Sequence, residues 1–276
     1  MWSFFSRYKR SIKKHLTLCG RAFISGFEYR SEIIVWLLLD TTSTSMLILM
    51  WLSIYQGQAS FNGYSLAAIV QYYLLGLIIN GLTGSHFERR RVAEIRDGKI
   101  DHYLTRPLSY LAEITDVYLA NKLFYFMLAA PMFLLTWFSI GHFFPSNNID
   151  LSVLKVGQFV ILLSYAFIVE FLIALIITLL GFWFEGAEGL EHFKWFTISL
   201  FSGWMIPLVM MPLWLRSIIE ILPFQYMYAR PIGILQGTAT LSSTDILYTC
   251  SFIIILLLVT KVLWGKAQLR YSSAGG

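Results

Sequence analysis

Six stretches of this chain are each long and apolar enough to cross about 30 Å of hydrocarbon, which takes roughly 20 helical residues. They run from about Glu32 to Tyr55, Leu66 to Phe87, Val117 to Ile140, Val156 to Phe184, Trp195 to about Leu215, and Ile246 to Trp264. A water-soluble core has no room for so much continuous apolar sequence. Composition agrees: 13% of residues are charged, about half the roughly 25% of soluble domains, and 57% are hydrophobic. A disordered chain, a collagen-like chain, a disulfide scaffold and a soluble enzyme are excluded on these grounds. Lipid offers the backbone no hydrogen bonds, so spans of this length form helices. The expected fold is an all-α integral membrane protein with six transmembrane helices.

The basic residues orient it. Seven precede the first span (Arg7, Lys9, Arg10, Lys13, Lys14, Arg21, Arg30), and Arg89, Arg90, Arg91, Arg96, Lys99 and Arg106 lie between the second and third spans. Lys122, Lys194, Lys261, Lys266 and Arg270 fall on the same side, so only Lys155, Arg216 and Arg230 of the 21 cations fall on the other. Positive charge marks the cytoplasmic side, so both termini are expected there, as an even number of spans requires. The cations are thus topology signals and not a nucleic-acid surface.

The N-terminus is basic but lacks the compact apolar region and cleavage site of a signal peptide. Phe5, Tyr8, Ile12, Leu16, Cys19, Phe23 and Phe27 recur at three- and four-residue steps. That spacing predicts an amphipathic helix over residues 1–30, lying at the membrane surface or packing on a partner protein. Between the fifth and sixth spans, residues 216–245 are semi-apolar (Ile218, Ile219, Ile221, Leu222, Phe224, Tyr226, Met227, Tyr228), unlike a water-exposed loop. Two short outer helices are expected, broken at Pro223 and Pro231, with turns at Gly233 and Gly237. Asn62-Gly63 and Pro145 mark turns in the other external loops.

Polar residues inside spans are costly. A central Asp carries roughly 2.5–3.5 kcal/mol of insertion cost. Asp40 lies near the middle of the first span, with Trp36 and Thr44 on its face, and Glu170 lies near the middle of the fourth. Asp40, Thr44 and Glu170 are candidates for a translocation path that favours a cation; each acid can equally be a hydrogen-bonded clasp between helices. Gly76, Asn80 and Gly84 form a small-residue stripe suited to close helix packing. Pro131 and Pro207 are candidate kink sites.

No phosphate-binding GxxxxGK[ST] loop, HExxH pair or GxSxG elbow occurs, and Cys19 and Cys250 have no CxxC partner. The five histidines are scattered, so no metal site and no catalytic residue is assigned. Glu185, Glu188 and Glu191 form an acidic run, read as a solvated face or a contact with a cytoplasmic partner.

The most patterned connection is residues 88–111, too polar to span. Val92, Ile95, Ile100 and Leu104 can form an apolar edge, Asp97-Gly98 can turn the chain, and Arg106-Pro107 ends the element. A short amphipathic helix held beneath a bundle is a docking surface. Ile95, Arg96 and Gly98, then Leu104, Arg106 and Pro107, together with Leu222-Pro223-Phe224, Pro231, Ile234 and Gly237, resemble the permease subunits of ABC-2 type ABC exporters. The six-span layout resembles them too.

The resemblance implies one transmembrane domain over residues 1–276, with outer re-entrant helices between spans five and six. It implies a second permease, identical or homologous, and a dimer of cytoplasmic ATPase subunits that hold ATP and Mg. Ile95, Arg96, Gly98, Leu104, Arg106 and Pro107 would then belong to the ATPase-coupling element, and the setting would be the bacterial plasma (inner) membrane. Such a chain is not itself an enzyme. An ATP-independent channel, a membrane-embedded lipid-modifying enzyme and an assembly or sensor subunit are the alternatives. His86, Glu88 and Arg89–Arg91 are the cluster a lipid-modifying enzyme would use.

Overall fold

A computed structural model describes residues 2–28, 30–58, 60–100, 109–143, 149 and 151–270. The described chain is almost all helix. In order it forms α1 (Trp2–Ser25), α2 (Arg30–Tyr55), α3 (Leu66–Thr83), α4 (Glu88–Arg96), α5 (Tyr110–Phe143), α6 (Val153–Leu180), α7 (Leu190–Phe201), α8 (Leu213–Ile221), α9 (Ala229–Leu235) and α10 (Ser243–Arg270). A two-residue hairpin joins α2 to α3: β1 (Ser60–Phe61) pairs antiparallel with β2 (Tyr64–Ser65), Phe61 opposite Tyr64. Its turn is Asn62-Gly63, both at positive φ (48° and 80°), as two-residue hairpins favour.

Among the described residues, five segments are long and apolar enough to cross a membrane: Arg30–Tyr55, Leu66–Arg96, Tyr110–Ser139, Val153–Leu180 and Ser243–Arg270. Pro131 lies within α5. The stretch expected as a fifth continuous span, Trp195 to Leu215, is not one helix. α7 stops at Phe201, and Gly203 takes φ 87°, a left-handed backbone. Pro207 and Pro212 then hold extended backbone (ψ 136° and 144°) on either side of a single 3-10 turn, Leu208–Met210. Summed hydropathy does not register these breakers; a glycine in a left-handed conformation and two prolines without N–H groups end the helix.

The connection holds two short helices, with two corrections. Gly233 lies inside α9 and makes no turn. Pro231 does not break α9; it sits in its first turn, where no intrahelical N–H is required. Pro223 opens a 3-10 turn, Pro223–Tyr226. The two helices differ in setting. α9 is central, with Ile232 and Ile234 fully buried, whereas α8 buries Ile219 and exposes Leu213, Trp214 and Ile221.

The core forms where α3 meets α6 and α9. Ile69, Tyr72, Leu75 and Ile79 pack with Leu162, Tyr165, Val169 and Leu172, and with Ile232 and Leu235. α2, α5 and α10 turn leucines and phenylalanines outward (Leu38, Leu49, Leu135, Phe138, Leu257), as a lipid solvent permits. α1 packs on α5: Phe23 and Phe27 stand edge-on to Phe124 at 5.4 and 4.8 Å, and His15 Nδ1 lies 2.5 Å from Asp116 Oδ2. Leu16, from the same expected stripe, is exposed. The side chains of Phe5, Tyr8 and Ile12 lie outside the described residues, as do Leu104, Arg106, Pro107 and Pro145.

Two contacts fix the direction of the chain late in the sequence. Near the end of α10, Trp264 stacks on Tyr110 at the start of α5 (5.6 Å). Lys155, at the start of α6, donates to the carbonyl of Ala239, just before α10 (3.0 Å). α6 therefore ends at one end of the bundle, beside α4, and α10 starts at the other. Residues 182–242 travel between these ends.

Candidate functional site

The site is built where the helical run of α3 and α4 breaks beside α6 and α7. α3 ends at Thr83, and the Gly84 N–H donates back to the Asn80 carbonyl (2.8 Å). Residues 84–87 are not helical, and α4 resumes at Glu88. Irregular backbone inside a membrane bundle survives only where protein satisfies its polar groups or where it lines a cavity. Both conditions are met here.

Lys194 of α7 provides the first. Its Nζ donates to the Ser85 carbonyl at 2.5 Å and lies 2.5 Å from Glu88 Oε1, with Glu170 Oε2 at 3.5 Å. Ser85 Oγ donates to the Glu170 carbonyl at 3.0 Å. The Lys194 and Glu88 side chains are 3% and 0% exposed, and that of Glu170 is 7% exposed. One ammonium thus ties α4, α6, α7 and the 84–87 break together. Such a pair is costly to bury, and breaking it by removing one partner is costlier still.

A second set of contacts runs from α9 to α2. Tyr228, just before α9, donates to Asn80 Oδ1 (2.8 Å), and the Asn80 side chain is a near neighbour of the Asp40 carboxylate. Lys122 donates to the Gly81 carbonyl (3.1 Å) and lies within electrostatic reach of both Asp40 and Glu170. Trp36 stacks on His86 (5.6 Å, 5° between planes), whose Nδ1 is 3.5 Å from Glu191 Oε1. Between the break and α7 lies a small cavity with an open mouth; Asn80, Gly84, His86, Glu170, Trp195 and Ser199 are among its lining.

The residues singled out in the sequence fall into place as follows. Asp40 is half-buried and Thr44 buried, both on α2 facing α3. Glu170 is buried on α6 and shares Lys122 and Tyr228 with Asp40 as electrostatic neighbours, so the two acids converge on one region. Of the small-residue stripe, Gly76 faces Ile232 and Trp204, and a Cβ there would stand 3.8 Å from each. Gly84 differs from the expectation: it caps α3 and lines the cavity, with its own helix as the nearest neighbour. The tightest approach on α3 is at Gly81, where a Cβ would stand 2.5 Å from Phe133 Cζ.

The sequence pattern does not mark Glu88, Lys194, Lys122 and Tyr228 as partners of this site. Lys194 and Lys122 read as topology charges, and His86 with Glu88 as part of the cluster a lipid-modifying enzyme would use. One signal was present: Lys194 is embedded among Phe193, Trp195 and Phe196, an apolar setting for a lysine.

α4 completes the arrangement. Its inner face is held by apolar contact: Val92 is fully buried, and Ile95 and Ile100 pack with Tyr110, Ile114 and Leu175. Ile95 is therefore a foot on the bundle and not part of an outward surface. Arg89, Arg90, Arg96, Asp97 and Lys99 are exposed. Gly98 (φ 71°) closes the helix: the Lys99 N–H donates to the Glu94 carbonyl (2.9 Å) and the Gly98 N–H to that of Ile95 (3.1 Å). The Lys99 ammonium, hydrogen-bonded to Asp97, holds the Asp97 carboxyl below its ordinary range. Arg96 Nη1 donates to Glu188 Oε1 (2.6 Å), clasping α4 to the 3-10 turn Ala187–Gly189 that precedes α7.

The sequence pattern of the family described as ABC-2 family transporter protein matches residues 41–275, most of the chain and all of the site just described except Trp36 and Asp40. No curated protein and no solved structure matches. A multi-pass membrane architecture and a match over this length lead to one conclusion: the chain belongs to the ABC-2 transporter family and is a transport permease of the membrane.

Proposed function

We propose that this permease is the membrane subunit of an ATP-driven exporter. It would pair with an identical or homologous permease and with two cytoplasmic ATPase subunits, which carry the ATP and Mg. The observation that carries this reading is α4. It is fixed to the bundle by Val92, Ile95 and the buried Glu88–Lys194 pair, and it presents Arg89, Arg90, Arg96 and Lys99 outward. A rigid element with a charged outer face is suited to receive motion from a soluble partner and pass it through Lys194 to α6 and α7. Arg96, Gly98 and the following Leu104, Arg106 and Pro107 would form the coupling element.

Residues 182–242 would cross the membrane once as a discontinuous span, giving six crossings with α8 and α9 as outer re-entrant helices. Support comes from the opposite-end placement of α6's end and α10's start. Six crossings also leave 18 of the 21 cations, and both termini, on the cytoplasmic side of a bacterial plasma membrane. The cargo would be hydrophobic or amphiphilic, meeting the polar groups around Asp40, Asn80 and Glu170.

The test is Arg96→Glu in the assembled complex, reconstituted in vesicles. ATP-dependent transport is expected to fall by tenfold or more while permease insertion and ATPase association persist. Unchanged transport, or ion conductance by the chain alone without ATPase subunits, refutes the reading.

A further inference from the structure

Glu170 holds the looser of the two ion pairs that Lys194 makes at the break. The Lys194 ammonium donates to the Ser85 carbonyl and lies 2.5 Å from Glu88 Oε1, and Glu170 Oε2 is left at 3.5 Å with no hydrogen bond. The Glu170 side chain is more than nine-tenths buried, and it lines the cavity. Of the neighbouring groups, His86 and Arg89 act on Glu191 and not on Glu170, and Lys122 is engaged by the Gly81 carbonyl. A desolvated carboxylate with unused acceptor capacity calls for a cation that can also donate.

The walls specify more. Trp195 and Trp204, 6.2 Å apart and edge to face, both border the cavity, and indole faces attract cations. On α7, Trp195 of the lining (48%) and the adjacent Phe196 (52%) are exposed, an apolar surface on which an alkyl chain can lie.

We infer that this cavity binds the primary ammonium headgroup of an amphiphile, with Glu170 as its counter-ion and the α7 aromatics against its tail. A quaternary ammonium lacks the N–H that Glu170 can accept, a long-chain alcohol lacks the charge, and an anionic headgroup is repelled. The inference rests on the transport reading only in treating the ligand as cargo.

The experiment measures binding of tritiated dodecylamine to the full chain in nanodiscs, without ATPase subunits and corrected against empty discs. Saturable binding is expected, with dodecanol and dodecyltrimethylammonium competing about tenfold or more weakly, as loss of a charge-assisted hydrogen bond implies. Glu170→Gln should weaken amine binding by a similar factor. Trp195→Ala, at the exposed mouth, should weaken it several-fold at unchanged thermal stability, and this variant decides the matter if Glu170→Gln does not fold. Non-saturable binding, equal competition by dodecanol, or unchanged affinity in either folded variant overturns the site. Amine binding without ATP-driven export overturns the exporter reading alone; export of another cargo without amine binding overturns the site alone.

Discussion

Replacing Lys194 with methionine removes the cation from the junction of α4, α6 and α7 while keeping most of its volume. Glu88, fully buried with its Oε1 2.5 Å from the ammonium, loses its counter-ion, Glu170 loses its nearest cation, and the Ser85 carbonyl loses a donor at 2.5 Å. Breaking a buried pair from one side costs about 3–5 kcal/mol. An orphaned buried carbonyl adds about 1–3 kcal/mol. Uptake of a proton by Glu88 offsets part of this, so the net expected loss is about 3–5 kcal/mol, a factor of over a hundred in the folding equilibrium. The assay is reversible unfolding of the chain in mixed micelles by a titrated denaturing detergent. Glu88→Gln in the Lys194→Met background should be less destabilising than in the wild type, because the charge that Lys194→Met strands is gone. A coupling of about 2 kcal/mol or more is expected from that cycle, within the range for contacting residues. A Lys194→Met variant within about 0.5 kcal/mol of wild type, or a cycle additive to about 0.5 kcal/mol, refutes the placement of this lysine at the centre of the site.

Three further variants test the packing and the backbone by thermal unfolding in nanodiscs. Gly81→Ala places a Cβ 2.5 Å from Phe133 Cζ, so a loss of about 1–3 kcal/mol is expected, partly recovered by Phe133→Leu. Gly157→Ala in α6, where nothing lies within 4 Å, should instead gain about 0.5–1 kcal/mol. Gly203→Ala forces a side chain into φ 87° and within 3.0 Å of Ala229 Cβ and the Tyr72 hydroxyl. A loss of about 1–2 kcal/mol from the left-handed backbone alone is expected, and wild-type stability would contradict the break seen after α7.

Which parts of this molecule were legible beforehand follows from the range of the physics involved. The helices α2, α3, α5, α6 and α10 could be placed because apolar length is a local sum, to which each residue contributes whatever its neighbours do. The turn at Asn62-Gly63 and the cap at Gly98 were legible because a left-handed backbone is a local demand. The interruption between α7 and α8 was missed for the converse reason: Gly203, Pro207 and Pro212 scarcely lower summed hydropathy, yet they decide whether hydrogen bonds continue. Ile95 belongs to an amphipathic pattern, and the pattern does not say which face meets the bundle; the fold turns Ile95 inward.

By itself, then, the sequence determined that this is a helical membrane protein with an amphipathic element after its second span, because lipid leaves an apolar chain few other choices. Only the tertiary structure decided what the buried charges do. Lys194 is distant from both Glu88 and Glu170 in the chain, and its role depends on α4, α6 and α7 meeting at one break. A charge in low dielectric takes its meaning from its neighbours in space, and those neighbours come from helix packing.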